Sequence, residues 1–485
     1  MTLTSAHRRP TVQAAAALLI ALFALTASAI SQGHAHSWMG DFRAFYCAAH
    51  VRLAGADPYS AAPILACESA PAPAPFFVPS TGTALPAPLP GYLVAAFVPL
   101  ALLPFVLAAS LWARLLLAAV IGTIVLLRNL EIGDPWTLLV ALSIAVLAVS
   151  IPIGELPPVA LFGVALTAWS AAHNRPVFLG LGLALAMFEP QIGVAVAIAV
   201  AALRWPFALA AGIVLGALLL LSCLTLGIHG NLEYARVVLP AHELSELPAV
   251  VQYSLSWVLN RIGVADGPAL FLGHLSWIIM LGLTLCVARS SFCRKHPEFA
   301  VLAAPAFCVV GGPFLHLDHI ALALPAALWL CARVRNQLGW SLAGALCLAV
   351  PLLYVFVMMP ILGGVTISAI VLVPIVAGWI AAAYTEKAIV GVRVGAAALV
   401  VALLVGVALE KTGAGTSTLT HVHGISPRLA QASWSAYVRS HFVYTAWTIW
   451  LVKLPTWFGI LITAAASLAA VIRQELSTRK AATSG

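Results

Sequence analysis

Long, unbroken apolar runs follow one another along this chain, and they dictate its solvent. Of its residues, 62% are hydrophobic and 8% are charged, with a mean hydropathy of +1.04. A soluble domain carries about 25% charged residues, and a soluble core of this size has too little interior for so much apolar surface. Stretches of about 17–25 apolar residues can each span a bilayer. The runs are continuous rather than alternating, which argues for helices and against a barrel. The expected fold is an all-α polytopic membrane protein, a single transmembrane domain over residues 1–485.

Twelve spans are expected, near 11–33, 105–127, 136–153, 158–173, 206–227, 269–288, 298–312, 320–332, 340–359, 363–384, 392–409 and 454–472. Basic residues cluster in short loops between them, as in His7-Arg8-Arg9, Arg289 to Lys295 and Arg333-Val334-Arg335. This is the positive-inside pattern, and it explains the net charge of +8 without a nucleic-acid partner. With those loops in the cytoplasm, 15 Lys and Arg fall inside, 8 fall outside, and Arg114 lies in a span. Ten of the 16 acidic residues fall outside, and one, Glu189, falls within the membrane. Both termini are then cytoplasmic, as expected for a protein of the inner or plasma membrane. The N-terminal run to Ile30, with Ala27-Ser28-Ala29, also fits a cleaved signal peptide. Its length favours an uncleaved first helix with Asp41 at the outer end.

Two apolar segments are awkward. Residues 86–104 carry Pro86, Pro88, Pro90, Pro99 and Pro104, and read as an interfacial or re-entrant piece. Residues 177–203 lie between Arg175 and Arg204, both inner residues, with Glu189-Pro190-Gln191 at the centre. Two full crossings do not fit. Two half-helices meeting in the membrane do, and so does a pair of short, tilted helices. Broken backbone at that depth needs protein or a water-filled space around it. The outer regions 34–85, 228–268, 313–319 and 410–453 are the polar ones, with short amphipathic helices expected at Asp41 to Leu53 and Leu429 to Tyr444. Chemistry, if present, sits on the outer face. No internal repeat is evident, which argues against an inverted-repeat transporter. Phosphate-binding glycine loops, nucleophile elbows and zinc-peptidase signatures are also missing from the sequence.

Asp41, in Gly40-Asp41-Phe42-Arg43-Ala44-Phe45-Tyr46, stands at the outer mouth of the first span. It suits acid/base chemistry there, or a helix N-cap. Pro313-Phe314-Leu315-His316-Leu317-Asp318-His319 is a polar patch between two short spans. Ionisable groups at a membrane boundary tend to be functional, and this patch suits a phosphate or an acceptor. It offers too few ligands for a closed metal site. Glu155 and Glu189 are further acidic candidates, each equally a cap beside a proline. Arg114 either snorkels or binds a lipid phosphate. Cys47 and Cys67 share the first outer loop, in an oxidising compartment, and suggest a disulfide. The other six cysteines read as inert small hydrophobes.

The order of these landmarks resembles the family-87 glycosyltransferases, membrane enzymes of the GT-C fold class. The resemblance runs through Asp41-Phe42-Arg43-Ala44-Phe45-Tyr46-Cys47-Ala48-Ala49, Gly55-Ala56-Asp57-Pro58-Tyr59, Leu85 to Pro90, Pro99 to Pro104 and Leu111-Trp112. It continues in Gln252-Tyr253-Ser254-Leu255 and in Pro313 to His319. Gly154-Glu155 stands where the family shows Gly-Gln, and Glu189-Pro190-Gln191 where it often shows Lys-Pro-Gln. The resemblance implies transfer of a sugar, mannose or another hexose, from a polyprenyl-phosphate donor to an acceptor hydroxyl at the outer face. That donor is a co-substrate, and no cofactor or metal is expected. The acceptor is a lipid, glycan or protein. Asp41 corresponds to the family's acidic base, and His316 or His319 to its patch histidine. Arg43, Tyr46, Asp57, Tyr59, Arg114, Glu189, Gln252 and Asp318 complete the candidate donor and acceptor contacts. The competing readings are a lipid or solute transporter built on Glu189, Arg114 and the broken helices, and a non-catalytic scaffold.

Overall fold

A computed structural model describes residues 38–79, 82–351, 353, 424–443 and 448–483. The expected spans 11–33, 363–384 and 392–409 lie outside these residues, as does most of 351–359. The described chain is helical, and its only extended pairings are isolated bridges such as Trp38 with Phe76 and Gln252 with His316.

Four described helices are long and apolar enough to cross a membrane: Phe105–Asn129, Trp205–Glu246, Asp266–Ala288 and Val452–Lys480. A fifth forms if Pro135–Leu142 and Ala145–Ile153, bent by 45° at their junction, count as one span. The expected spans 158–173, 298–312 and 340–359 appear as the shorter apolar helices Pro157–Ala172, Pro297–Gly311 and Leu338–Ala349. The span 320–332 is divided into a tight turn, Asp318–Ala323, and a helix, Leu324–Arg333. Hydropathy measures the length of an apolar run. Proline and glycine decide where the helix inside it stops.

The awkward segments show this. Residues 86–104 give the short helix Gly91–Ala101. Residues 177–203 give Pro176–Ala186 and Pro190–Leu203, parted at Met187-Phe188-Glu189. Pro190 has no N–H and pushes Glu189 out of helical conformation, and Glu189 becomes the helix N-cap. Glycine then lets the pieces close up. A Cβ on Gly163 would stand 2.2 Å from Ala186 N, and one on Gly182 would stand 2.6 Å from Thr167 N. Helices Pro157–Ala172 and Pro176–Ala186 therefore pack backbone to backbone.

The polar segments sort into two sets. Those expected inside bond to one another: Arg333 to Glu131 at 2.9 Å, Arg204 to Asn174 at 3.5 Å, and the Ser291 N–H to Glu475. Those expected outside do likewise. Ala61 N–H donates to Arg428 O at 2.7 Å, Ala84 N–H to Ser433 Oγ at 3.1 Å, and Val250 N–H to Phe442 O at 2.7 Å.

The first outer segment is a knot of its own. Cys47, on the helix Gly40–Leu53, is joined by a disulfide to Cys67 on the helix Ala61–Glu68. Arg43 is buried beneath them, with its guanidinium 4.7 Å from the centre of the Phe105 ring. It donates to Phe77 O at 2.6 Å and to Ala70 O. Glu68 accepts from Leu85 N at 2.8 Å; burial drives its carboxyl up to about 8, against that bond and the nearby Arg43 charge. Arg43→Met should therefore unseat residues 70–77. A hydrogen bond from a charged group is worth about 1.5–3 kcal/mol, so a loss of about 3 kcal/mol is expected, read as a lower unfolding temperature and faster proteolysis within 70–77. Wild-type values for both would show that Arg43 does not hold this segment.

Candidate functional site

Asp41 lies in the first turn of Gly40–Leu53, and its position is set from outside that helix. Gly154 has φ 85°, and a Cβ there would stand 2.6 Å from Phe42 Cβ and 2.9 Å from Met39 Sδ. Only glycine lets the 152–155 segment lie this close. Met39 N–H donates to Pro152 O at 2.7 Å, and Trp112 Nε1 donates to Gly154 O at 2.8 Å. The result is that Glu155, the next residue, hydrogen-bonds Asp41 side chain to side chain. Burial pushes the Asp41 carboxyl up to about 6. The Glu155 bond and the His316 charge work against the rise, and the Asp318 and Glu246 charges add to it. Burial, then the charges of Asp41, Asp318 and Glu189, hold Glu155 well above the ordinary carboxyl range.

The 313–319 patch closes on the same place. Its backbone is pinned to the 250–254 segment: Tyr253 N–H donates to Leu315 O at 2.7 Å, and Leu315 N–H donates to Gln252 Oε1 at 3.0 Å. Gln252 is in turn held by Lys453, which donates to Gln252 O. Lys453 is fully buried, with its Nζ 3.3 Å from the centre of the Trp257 ring, 4.8 Å from that of Tyr253 and 5.7 Å from that of Trp457. Ring faces and a carbonyl surround it, with no carboxylate partner among the described residues.

Within the patch, His319 Nδ1 accepts from the His316 N–H at 2.9 Å. That leaves the ring proton on Nε2, which donates to Glu189 Oε2 at 2.8 Å. His316 Nε2 lies 3.3 Å from Glu246 Oε2. Glu246 also accepts from Trp434 Nε1. Asp318 is buried, and its Oδ2 has no partner among the described residues. His242, one turn before Glu246 on the helix Leu239–Glu246, is buried with its ring 5.0 Å from that of Phe314. Its Nδ1 has no hydrogen-bond partner among the described residues. Five carboxyl groups (Asp41, Glu155, Glu189, Glu246, Asp318) and three histidines (His242, His316, His319) thus gather in one cluster of an apolar helical body. Among the described residues, no three His, Cys, Asp or Glu side chains are placed to hold a metal ion.

The structure brings Asp41, Glu189, His316, Asp318 and His319 together, with Gln252 as a buried support. It does not bring the other candidates with them. Arg43 ties the first loop, as described above. Tyr46 donates to Leu103 O at 2.8 Å. Asp57 accepts from Tyr59 N–H at 3.0 Å and Ser60 Oγ at 2.6 Å, a turn-forming role. Tyr59 donates to Leu89 O at 2.7 Å. The Arg114 side chain is exposed on the helix Phe105–Asn129 and makes no bond with the cluster. Conversely, His242, Glu246, Trp434 and Lys453 were not singled out from the sequence. The spacing of His242 and Glu246, four apart on an outer helix, was the available signal.

Fold and site together define a helical membrane protein with an acid–histidine cluster. A model of glycosyltransferase family 87 matches residues 90–315. The match bears out the family-87 resemblance and supports glycosyltransferase activity. It takes in Glu155, Glu189, Glu246 and Gln252, and leaves Asp41 and residues 316–319 outside its limits. No curated protein and no solved structure matches the chain.

Gly154→Ala tests the contact that makes the cluster. A side chain in the left-handed region costs about 1–2 kcal/mol, and the clash with Phe42 adds to it. The variant should melt below wild type and should lose most transferase turnover as Glu155 moves from Asp41. An unchanged melting temperature would mean that 152–155 does not pack against 39–42.

Proposed function

We propose that this protein moves a sugar, mannose or another hexose, from a polyprenyl-phosphate donor to an acceptor hydroxyl at the outer face of the membrane. The observation that carries this reading is the convergence of Asp41 with His316, Asp318 and His319, from segments more than 270 residues apart. The family-87 match supports the glycosyl-transfer part of it. The outer placement rests on the charge asymmetry of the loops.

In this reading Asp41 is the base. Its carboxylate takes the proton of the acceptor hydroxyl as that oxygen bonds to the anomeric carbon. The bond from the anomeric carbon to the phosphate oxygen breaks, and its electron pair leaves on polyprenyl phosphate. Attack opposite the departing phosphate inverts the anomeric centre. His316, the more open of the two patch histidines at 21% side-chain exposure against 6% for His319, is the one free to meet the phosphate. The apolar helices provide the surface along which the polyprenyl chain lies. Both termini are placed in the cytoplasm.

A base must be ionised to act. The Asp41 carboxyl sits at about 6, so turnover should rise with pH through about 6 and fall away below it. Purified protein incubated with a panel of polyprenyl-phosphate sugars and candidate acceptors should release polyprenyl phosphate. Asp41→Asn keeps the shape, removes the basicity, and should cut the rate by roughly 10²-fold or more, the scale of general-base loss. Donor binding should survive. Near-wild-type release by Asp41→Asn, in an assay that works for the wild type, would remove Asp41 from the chemistry. No release from any donor would count against the transferase reading itself.

A further inference from the structure

His316 is held at both ends. Its backbone N–H donates to His319 Nδ1 at 2.9 Å, and its backbone bridges to Gln252. Its ring is met by Glu246, whose Oε2 lies 3.3 Å from Nε2. That leaves Nδ1 as the ring nitrogen without a hydrogen-bond partner among the described residues. Resting on the reading of His316 as the group that meets the donor phosphate, we infer that Glu246 is a positioning residue for it: the Glu246 carboxylate takes the Nε2–H, presents Nδ1 to the donor, and balances the charge of the imidazolium that binds the phosphate.

Glu246 is built for this. It ends the helix Leu239–Glu246 and is buried. Its Oε1 accepts from Trp434 Nε1, on the helix Ala430–His441. An indole N–H only donates, and a donor on each oxygen suits the ionised carboxylate. The helix that carries Trp434 is tied down by two outer segments: Ala430 N–H donates to Tyr59 O at 3.1 Å, and Val250 N–H donates to Phe442 O at 2.7 Å. Phe314 bounds the His316 ring on another side, with ring centres 4.5 Å apart. The carboxylate and the ring it holds are thus set by three separate parts of the chain.

A histidine that donates from both nitrogens is an imidazolium. Set between a buried carboxylate and a phosphate, its charge is matched on both sides. The Glu246 contact is longer than the about 2.7–2.9 Å of a charge-assisted bond, and bonds of this kind often tighten only when substrate is bound. No bond to His316 forms or breaks. The electron pair of the broken bond leaves on the phosphate, the imidazolium offsets that charge, and the ring proton stays on Nδ1. The rest of the cluster does not supply this cation. Asp41 and Asp318 repel a phosphate, His319 is engaged with Glu189 at 2.8 Å, and His242 is buried against Phe314.

The test is the affinity of wild type, Glu246→Gln, His316→Ala and the double variant for polyprenyl phosphate in micelles, with uncharged polyprenol as the control. Gln keeps the size of the side chain and removes its charge. Glu246→Gln should weaken polyprenyl phosphate binding by roughly tenfold or more, the scale of a lost hydrogen bond to a charged group, and should leave polyprenol binding unchanged. On the His316→Ala background the same change should have no further effect, because Glu246 acts only through the ring. Equal losses for phosphate and polyprenol would overturn the inference, and so would losses that add in the double variant. Trp434→Phe guards against a folding defect in the Gln variant. It keeps the carboxylate, should weaken phosphate binding in the same sense, and should be silent on the His316→Ala background; additive losses there would again contradict the role. Wild-type protein that binds no polyprenyl phosphate would also remove it. If the phosphate binds and these relations hold but no sugar moves from any donor, the transferase reading fails alone.

Discussion

Burying carboxyl groups in an apolar body is the constraint on which this structure turns. An unpaired buried carboxylate is too costly to keep, so it takes a proton, a partner or water. The cluster shows partners throughout. Glu155 pairs with Asp41, Glu189 accepts from His319, and Glu246 accepts from Trp434 and lies beside His316. Each partner comes from a different part of the chain. Satisfying the carboxyl groups therefore draws the helix Gly40–Leu53, the turn before Pro157, the break at Glu189, the helix Leu239–Glu246 and the patch 313–319 to one point.

The backbone devices that permit this are small and local. Gly154 removes a side chain where two segments meet, Pro190 stops a helix so that Glu189 turns toward His319, and Gly227 bends a long helix. Asn231 fills that bend, donating to Gly227 O at 2.7 Å and Ser222 O at 3.0 Å. Beyond it the chain runs on to His242 and Glu246. Lys453 works from a distance, holding Gln252, which holds Leu315. Sites placed on such supports keep their geometry when the exposed segments move.

Much of this is written in the sequence. Scarce charge and long apolar runs imply a helical membrane body, and Glu189-Pro190 marks a break. Asp41 and the 313–319 patch could be paired from topology alone, because both lie in outer segments. Other features depend on tertiary context. Arg43, Asp57 and Tyr59 stand in the motif-rich first loop yet serve its internal bonds, since a charged or hydroxylated side chain reads alike whether it faces a substrate or a carbonyl. His242 and Glu246 look like one face of a solvated helix until the bend at Gly227 is known. Lys453 gives no hint that three aromatic rings will surround it. Helix lengths were overestimated where an apolar run continues across proline or glycine.

The proposed sugar transfer takes place beside Asp41, within this cluster. A structure of the protein with a polyprenyl phosphonate sugar, whose carbon–phosphorus link resists transfer, is the decisive measurement. The anomeric carbon should face the Asp41 carboxyl, with the phosphonate on the side of His316. A sugar seated away from Asp41, for instance along the exposed face of Arg114, would contradict it.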